Sequence, residues 1–282
     1  MTDEPTHPHA PAQVIAVSNQ KGGTAKTTSV IHLGVALAAL GKKVLLVDLD
    51  PQGHLAEGFG IVSDDLPLEM SNVLDGSQRM TDIILPEIRP SLDLAPSNIR
   101  LADMELTLVQ LRFREVKLKR ALESVLPHYD YVLLDCPPSL GLLTVNALIA
   151  ANALLIPMAA EYYSMLGVSL LIKTVETIKA EGNPGLEILG IIPTHVKRTN
   201  HAREVIARTK EELGDIVRVF ETAINDSTRF PEASAQGKTV FDIAPEIEGA
   251  HAYRAIAQEL VHAETTEANH HPRQRVQNKR SR

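Results

Sequence analysis

Between residues 13 and 48 the chain reads as an apolar run, a glycine turn, an amphipathic run and a second apolar run. That order constrains the fold more than any other feature of the sequence. Residues 13–17 form a short buried strand. Over residues 26–40, Val30, Leu33, Val35, Leu37 and Leu40 recur at helical spacing and stop at Gly41, a residue suited to a left-handed C-cap. Residues 43–48 are again apolar and end in Asp48. A strand, helix and strand joined this way pair in parallel, and parallel strands need helices on both faces.

The alternation continues. Strands are expected at 92–95, 131–135, 153–158, 188–192 and 216–220, and helices at 101–126, 142–150, 166–181, 202–213 and 251–263. The fold class is therefore α/β, a doubly wound, mostly parallel sheet flanked by helices. One domain is expected over residues 13–263, after a flexible N-terminus (1–12) and before a disordered basic tail (264–282). That tail holds Arg273, Arg275, Lys279, Arg280 and Arg282 against Glu264 and Glu267, although the whole chain carries a net charge of −7. With aromatics at 4% and no Trp, aliphatic side chains must fill the core. The single Cys136 excludes an internal disulfide. The N-terminus has no basic segment followed by an apolar one, and no apolar run is long enough to span a bilayer. A cytoplasmic protein is the expectation.

The turn reads Lys21-Gly22-Gly23-Thr24-Ala25-Lys26-Thr27-Thr28. Lys26-Thr27 matches the end of the phosphate-loop pattern G-x-x-x-x-G-K-[ST], whereas Gln20 and Ala25 occupy its glycine positions. Context supports the reading, because a strand precedes the turn and a helix follows it. Glycine lets backbone N–H groups approach phosphate oxygens. The Lys26 ammonium suits β- and γ-phosphates, the Thr27 hydroxyl suits Mg²⁺, and Thr28 can reach an α-phosphate. Asp135 ends the apolar run 131–134, where an acid orients Mg²⁺ and its waters. Asp50, after the second strand, is placed to hold Mg²⁺ and position an attacking water. The expected ligands are ATP and Mg²⁺, and the expected activity is ATP hydrolysis. The loops near Thr194 and Asn225 are the expected adenine contacts.

Several motifs, in order along residues 13–261, carry a resemblance. The turn resembles the deviant Walker A box of ParA/MinD-type ATPases, marked by the upstream Lys21. VLLVDLDPQG from Val44 resembles their second motif. YVLLDCPPSLGLLTVNAL from Tyr131 and EYYSMLG from Glu161 are similar to the ParA/Soj chromosome-partitioning branch, and EASAQGKT from Glu232 to a late family segment. The resemblance implies a slow ATPase that forms an ATP-bound sandwich homodimer. In such a dimer Lys21 would reach the partner subunit's phosphates and Asp50 would activate water. It also implies sequence-independent DNA binding, release by a ParB-like centromere-binding protein, and a nucleoid-associated location.

Three positions depart from the family pattern. Ala25 replaces a glycine, and a Cβ at positive φ there would cost about 1–2 kcal/mol. His32 stands where asparagine is usual, and Asn225-Asp226 where Pro-Arg is frequent. DNA contacts are expected at Lys197, Arg198 and Arg203 in the basic stretch 195–210, and at Arg229, with Arg198 and Arg229 matching basic family positions. A second basic cluster, 112–120, reads as a solvated helix face. A membrane-cycling MinD-like regulator would need an apolar amphipathic helix after Val261, which is not found. A nucleotide-gated scaffold with little turnover is the other alternative, because of Ala25.

Overall fold

Strands that are apolar on both faces must be covered on both faces, and the architecture follows from that requirement. The computed structural model describes residues 11–161 and 164–270. Its strands are β1 (Gln13–Val17), β2 (Val44–Asp48), β3 (Leu85–Arg89), β4 (Leu92–Ala95), β5 (Tyr131–Asp135), β6 (Ala153–Ala159) and β7 (Glu187–Thr194). They make one sheet in the order β3-β4-β2-β5-β1-β6-β7, parallel throughout except for the edge hairpin β3–β4.

Helices follow as α1 (Lys26–Ala39), α2 (His54–Glu57), α3 (Met70–Asp75), α4 (Met80–Ile83), α5 (Arg100–Leu108) and α6 (Lys117–Leu122). After β5 come α7 (Leu142–Ala150), α8 (Ser164–Glu181), α9 (Asn200–Leu213), α10 (Arg229–Ser234), α11 (Val240–Ile243) and α12 (Glu248–His270). Successive strand residues alternate between two cores. Ile15 and Val17 join Leu33, Leu37 and Tyr253 beneath α1 and α12. Val14 and Ala16 join Leu101, Leu118, Leu143 and Leu171 on the opposite face. Each such fully buried aliphatic side chain contributes about 1.5–3 kcal/mol.

Four expectations are corrected. The helix expected at 101–126 is broken into α5, a 3-10 turn at Arg114–Val116, and α6. Asn146 of α7 holds the break open: its amide oxygen accepts the Leu118 N–H at 3.1 Å and its amide donates to the Arg114 carbonyl at 2.8 Å. The strand expected at 216–220 is only a bridge from Val219 to Ile191. Ile191 N–H reaches Arg218 O and Phe220 N–H reaches Ile191 O, but the next edge residue is Pro193, which has no N–H with which to extend the ladder. The boundary at 264 falls inside α12, which runs on to His270; no glycine or proline interrupts the chain before Pro272. Lastly, Ala12 is packed rather than loose: it is buried, and its carbonyl accepts from the Asn152 amide at 3.3 Å. Residues 1–10 and 271–282 lie outside the described residues.

Candidate nucleotide-binding site

The register of three strands builds the site. Val17 of β1 and Asp48 of β2 both pair with Asp135 of β5, so the phosphate loop and two strand-end acids share one crevice at the carboxyl edge. The crevice is about 790 Å³, and Gly22, Gly23, Ala25, Lys26, Thr27, Thr28 and Asp50 line one part of it. His195, Ile224, Asn225, Phe230 and Tyr253 line the remainder, next to the loops expected to contact adenine.

The loop turns through two left-handed residues, Gly23 at φ 69° and Ala25 at φ 65°. Ala25 is the residue before α1, and its carbonyl accepts the Ser29 N–H at 2.8 Å. The departure from glycine therefore falls on a position that does require positive φ. A Cβ built on Gly22 or Gly23 would meet no atom within 4 Å, so the loop borders open space wide enough for phosphate. From behind, the Thr194 hydroxyl donates to Thr24 O at 3.1 Å and so braces the loop against the end of β7.

Lys26 is buried, and its ammonium donates to Lys21 O at 3.3 Å. Burial lowers its pKa, while Asp135 and Asp50 oppose that shift. Asp135 is buried as well. Burial pushes it up to about 7; Asp50 adds to the push, and Thr27 and Lys26 pull against it. Neither oxygen of Asp135 has a hydrogen-bond partner among the described residues, although Thr27 lies close enough to hold its pKa down. Buried orphan acceptors are rare in folded proteins and call for a ligand. Carboxylate and hydroxyl oxygens converging on this place suit a hard divalent cation.

Asp48 was not singled out for a role in the sequence. It is fully buried, and burial, with Asp135 next, pushes its pKa well above the usual carboxylate range. Its oxygens accept the N–H groups of Asp50 (2.9 Å) and Leu55 (3.2 Å). Asp48 thus shapes the loop that carries Asp50, whose own carbonyl takes the Ser97 hydroxyl at 2.5 Å. Its place at the end of an apolar strand was the available signal.

His32 is the other residue whose role emerged only in three dimensions. Its Nδ1 bonds Thr28 O at 2.7 Å, and Nε2 accepts the Val240 N–H at 3.2 Å. Tyr253 stacks on its ring and Phe230 meets it edge-on. Burial lowers its pKa to about 4, so the ring is neutral and ties the phosphate-loop helix to α11. Nearby, a Cβ on Gly237 would lie 2.4 Å from Gly60 Cα, so the late motif 232–239 closes against the loop after α2.

Lys21 does not point into its own crevice. Its ammonium forms an ion pair with Glu161 and lies 3.4 Å from the Ser164 hydroxyl. The expected DNA residues are all exposed, yet two are already paired. Arg198 bonds Glu248 at 2.7 Å, and Glu248 also accepts from Asn225. Arg229 bonds Glu232 at 2.8 Å. Lys197 lies close enough to Glu161 to lower its pKa, and Arg203 has no ion pair among the described residues.

A strand, a phosphate-sized loop, a helix start and facing strand-end acids define a P-loop nucleotide-binding protein. A family model described as an AAA domain matches residues 12–188. Sporulation initiation inhibitor protein Soj of Bacillus subtilis is 42% identical over 249 residues, 88% of this chain and 98% of Soj. Chromosome partitioning protein ParA of Caulobacter vibrioides is 38% identical over 257 residues, 90% of this chain and 96% of that protein. Among solved structures, cobyrinic acid a,c-diamide synthase from Mycobacterium smegmatis, with a bound ATP analogue and magnesium, matches with a TM-score of 0.81. It is 35% identical and covers 91% of this chain and 97% of that one. The chain belongs to the ParA/Soj family of P-loop partitioning ATPases.

Proposed function

We propose that this protein is a DNA-segregation ATPase that binds ATP and Mg²⁺ in the P-loop crevice. The observation that carries the reading is the orphaned, buried Asp135 carboxylate facing Thr27 beside the open phosphate loop. The residues of the crevice divide the work. Backbone N–H groups of residues 22–28 hold the phosphates and the Lys26 ammonium neutralises their charge. Thr27 and Asp135 would hold Mg²⁺, which would supply Lewis-acid charge stabilisation at the phosphates. Asp50, half-buried at the mouth, orients the attacking water, and Asp48 holds the Asp50 backbone in place.

Two ATP-bound copies would form a dimer in which Lys21 leaves Glu161 for the partner subunit's phosphates. Leu166 and Leu170, exposed one turn apart on α8 close to Lys21, support an interface on this side. The dimer binds duplex DNA without sequence preference through Lys197, Arg198, Arg203 and Arg229. Slow hydrolysis, stimulated by a ParB-like centromere-binding protein, releases it, which places the protein in the cytoplasm on the nucleoid. Soj and ParA, closer in sequence than the matched diamide synthase, support this choice of activity.

The test combines phosphate release with retention on random-sequence duplex DNA. Asp50→Ala is expected to lower turnover by about 10²–10⁴-fold while ATP-dependent DNA retention persists. ATP binding without turnover in the unaltered protein would instead make it a nucleotide-gated scaffold. Absence of ATP binding would sink the proposal.

A further inference from the structure

The second basic cluster, 112–120, read from the sequence as a solvated helix face, differs from that reading in a specific way. Among the described residues Arg112, Lys117 and Lys119 form no ion pair, and Arg120 lies over the Phe113 ring at 5.0 Å. By contrast, Arg198, Lys210, Arg218 and Arg229 each hold a carboxylate of this chain. Cations without ion pairs thus gather on α6 and, with Arg112, in the segment that leads into it.

They surround apolar groups that remain largely exposed. Phe113 is 66% exposed, and the chain's other phenylalanines are all at least half-buried. It sits in the left-handed region at φ 54°, at the break between α5 and α6. Leu106 (73%) on α5 and Val109 (56%), the residue that caps its end, lie at i,i+3 spacing. The patch is continuous, because the Arg114 guanidinium donates to Val109 O and Arg120 covers Phe113.

We propose that this surface docks an amphipathic helix of a partner protein, with its apolar face on Leu106, Val109 and Phe113. Acidic residues toward one end of that helix would lie over Arg112, Lys119 and Arg120. Charge grading along the patch selects this occupant. Asp103 and Glu105 stand at the α5 end, whereas Arg112, Lys119 and Arg120 stand without ion pairs at the other, where Glu115 is already held by Arg114, so the patch matches a helix with acids at one end only. A uniformly anionic bilayer or duplex would meet those two acids, and a duplex has no apolar surface for Leu106 and Val109. The inference rests on surface chemistry alone and is independent of the ATPase reading.

The probe is a synthetic Leu/Ala helix of about 18 residues with glutamates in its second half. Its controls are the same peptide with lysines, a random-sequence duplex, and vesicles of phosphatidylglycerol and phosphatidylcholine. Fluorescence anisotropy with the full chain is expected to show the Glu peptide binding at least about tenfold tighter than the Lys peptide. Arg112→Glu with Arg120→Glu should reverse that preference. Leu106→Ser, a surface change that leaves both cations in place, should weaken the Glu peptide alone. Equal binding of both peptides, or an unchanged preference after charge reversal, would overturn the proposal. So would a loss of duplex or vesicle binding that matches the loss of peptide binding in the reversed variant.

Discussion

The P-loop crevice and the basic surface around Arg198 and Arg229 handle charge in opposite ways. In the crevice Lys26, Asp48 and Asp135 are buried, neither Asp135 oxygen has a hydrogen-bond partner among the described residues, and Ala25 holds a strained conformation. At the surface, Arg198 and Arg229 are exposed and each already has a carboxylate partner. A ligand entering the crevice therefore relieves desolvated charge, which gives tight, specific binding. A polyanion at the surface would have to displace ion pairs worth about 0–1 kcal/mol each, and its binding would be weak and salt-sensitive.

The largest effect should come from removing the charge of Asp135. Asp135→Asn should lose Mg²⁺-dependent nucleotide affinity by about 100-fold, yet raise the melting temperature of the nucleotide-free protein by about 3–8 °C. The sign follows from its raised pKa. The folded state binds the proton more tightly than the unfolded state, so the native aspartate costs stability progressively as pH rises from 3.8 toward about 7. Calorimetry and nucleotide titration at several pH values measure both effects. A fall in melting temperature would mean that the crevice is not under charge strain.

His32 titrates in the opposite sense. With its pKa lowered to about 4 from 6.5, it loses about 3 kcal/mol of stability as pH falls through that window. His32→Asn should flatten the acid limb of a chemical-denaturation profile. A limb of unchanged steepness would show that His32 is already protonated in the fold.

Ala25→Gly comes next. Release of the left-handed Cβ gains about 1–2 kcal/mol, and glycine's greater chain entropy takes back about 0.5–1 kcal/mol. A net gain of about 0.5–1 kcal/mol, with faster ATP turnover, is expected. Faster turnover without stabilisation would separate loop geometry from loop strain.

The smallest effect tests the other half of the comparison. Glu248→Gln should free Arg198 and tighten binding to random duplex about two- to fivefold at low salt, with the gain fading as salt rises. Duplex binding that weakens instead would show that the ion pair organises the surface rather than masking it.

The crevice was legible in the sequence because its parts are local. The P-loop lies within one βαβ unit, and Asp50 and Asp135 follow apolar runs whose length and alternation mark them as strands. The helix break at Phe113 was not legible, because its periodicity continues through the break and the decisive group, Asn146, is distant in sequence. The missing strand at 216–220 has a similar cause, since Pro193, on the neighbouring strand, ends the ladder.

By itself, the sequence determined the α/β class, the phosphate loop and the acids at two strand ends. Periodicity, glycine and short-range spacing act between residues close in the chain. Only the tertiary structure decided which charges are buried, which are paired and which lie bare. Register brings Asp48 to Asp135, folding joins His32 to Val240 and Arg198 to Glu248, and Phe113, at the break before α6, is left exposed. Desolvation and pairing depend on neighbours from distant parts of the chain, and those neighbours exist only once the two cores have closed on the sheet.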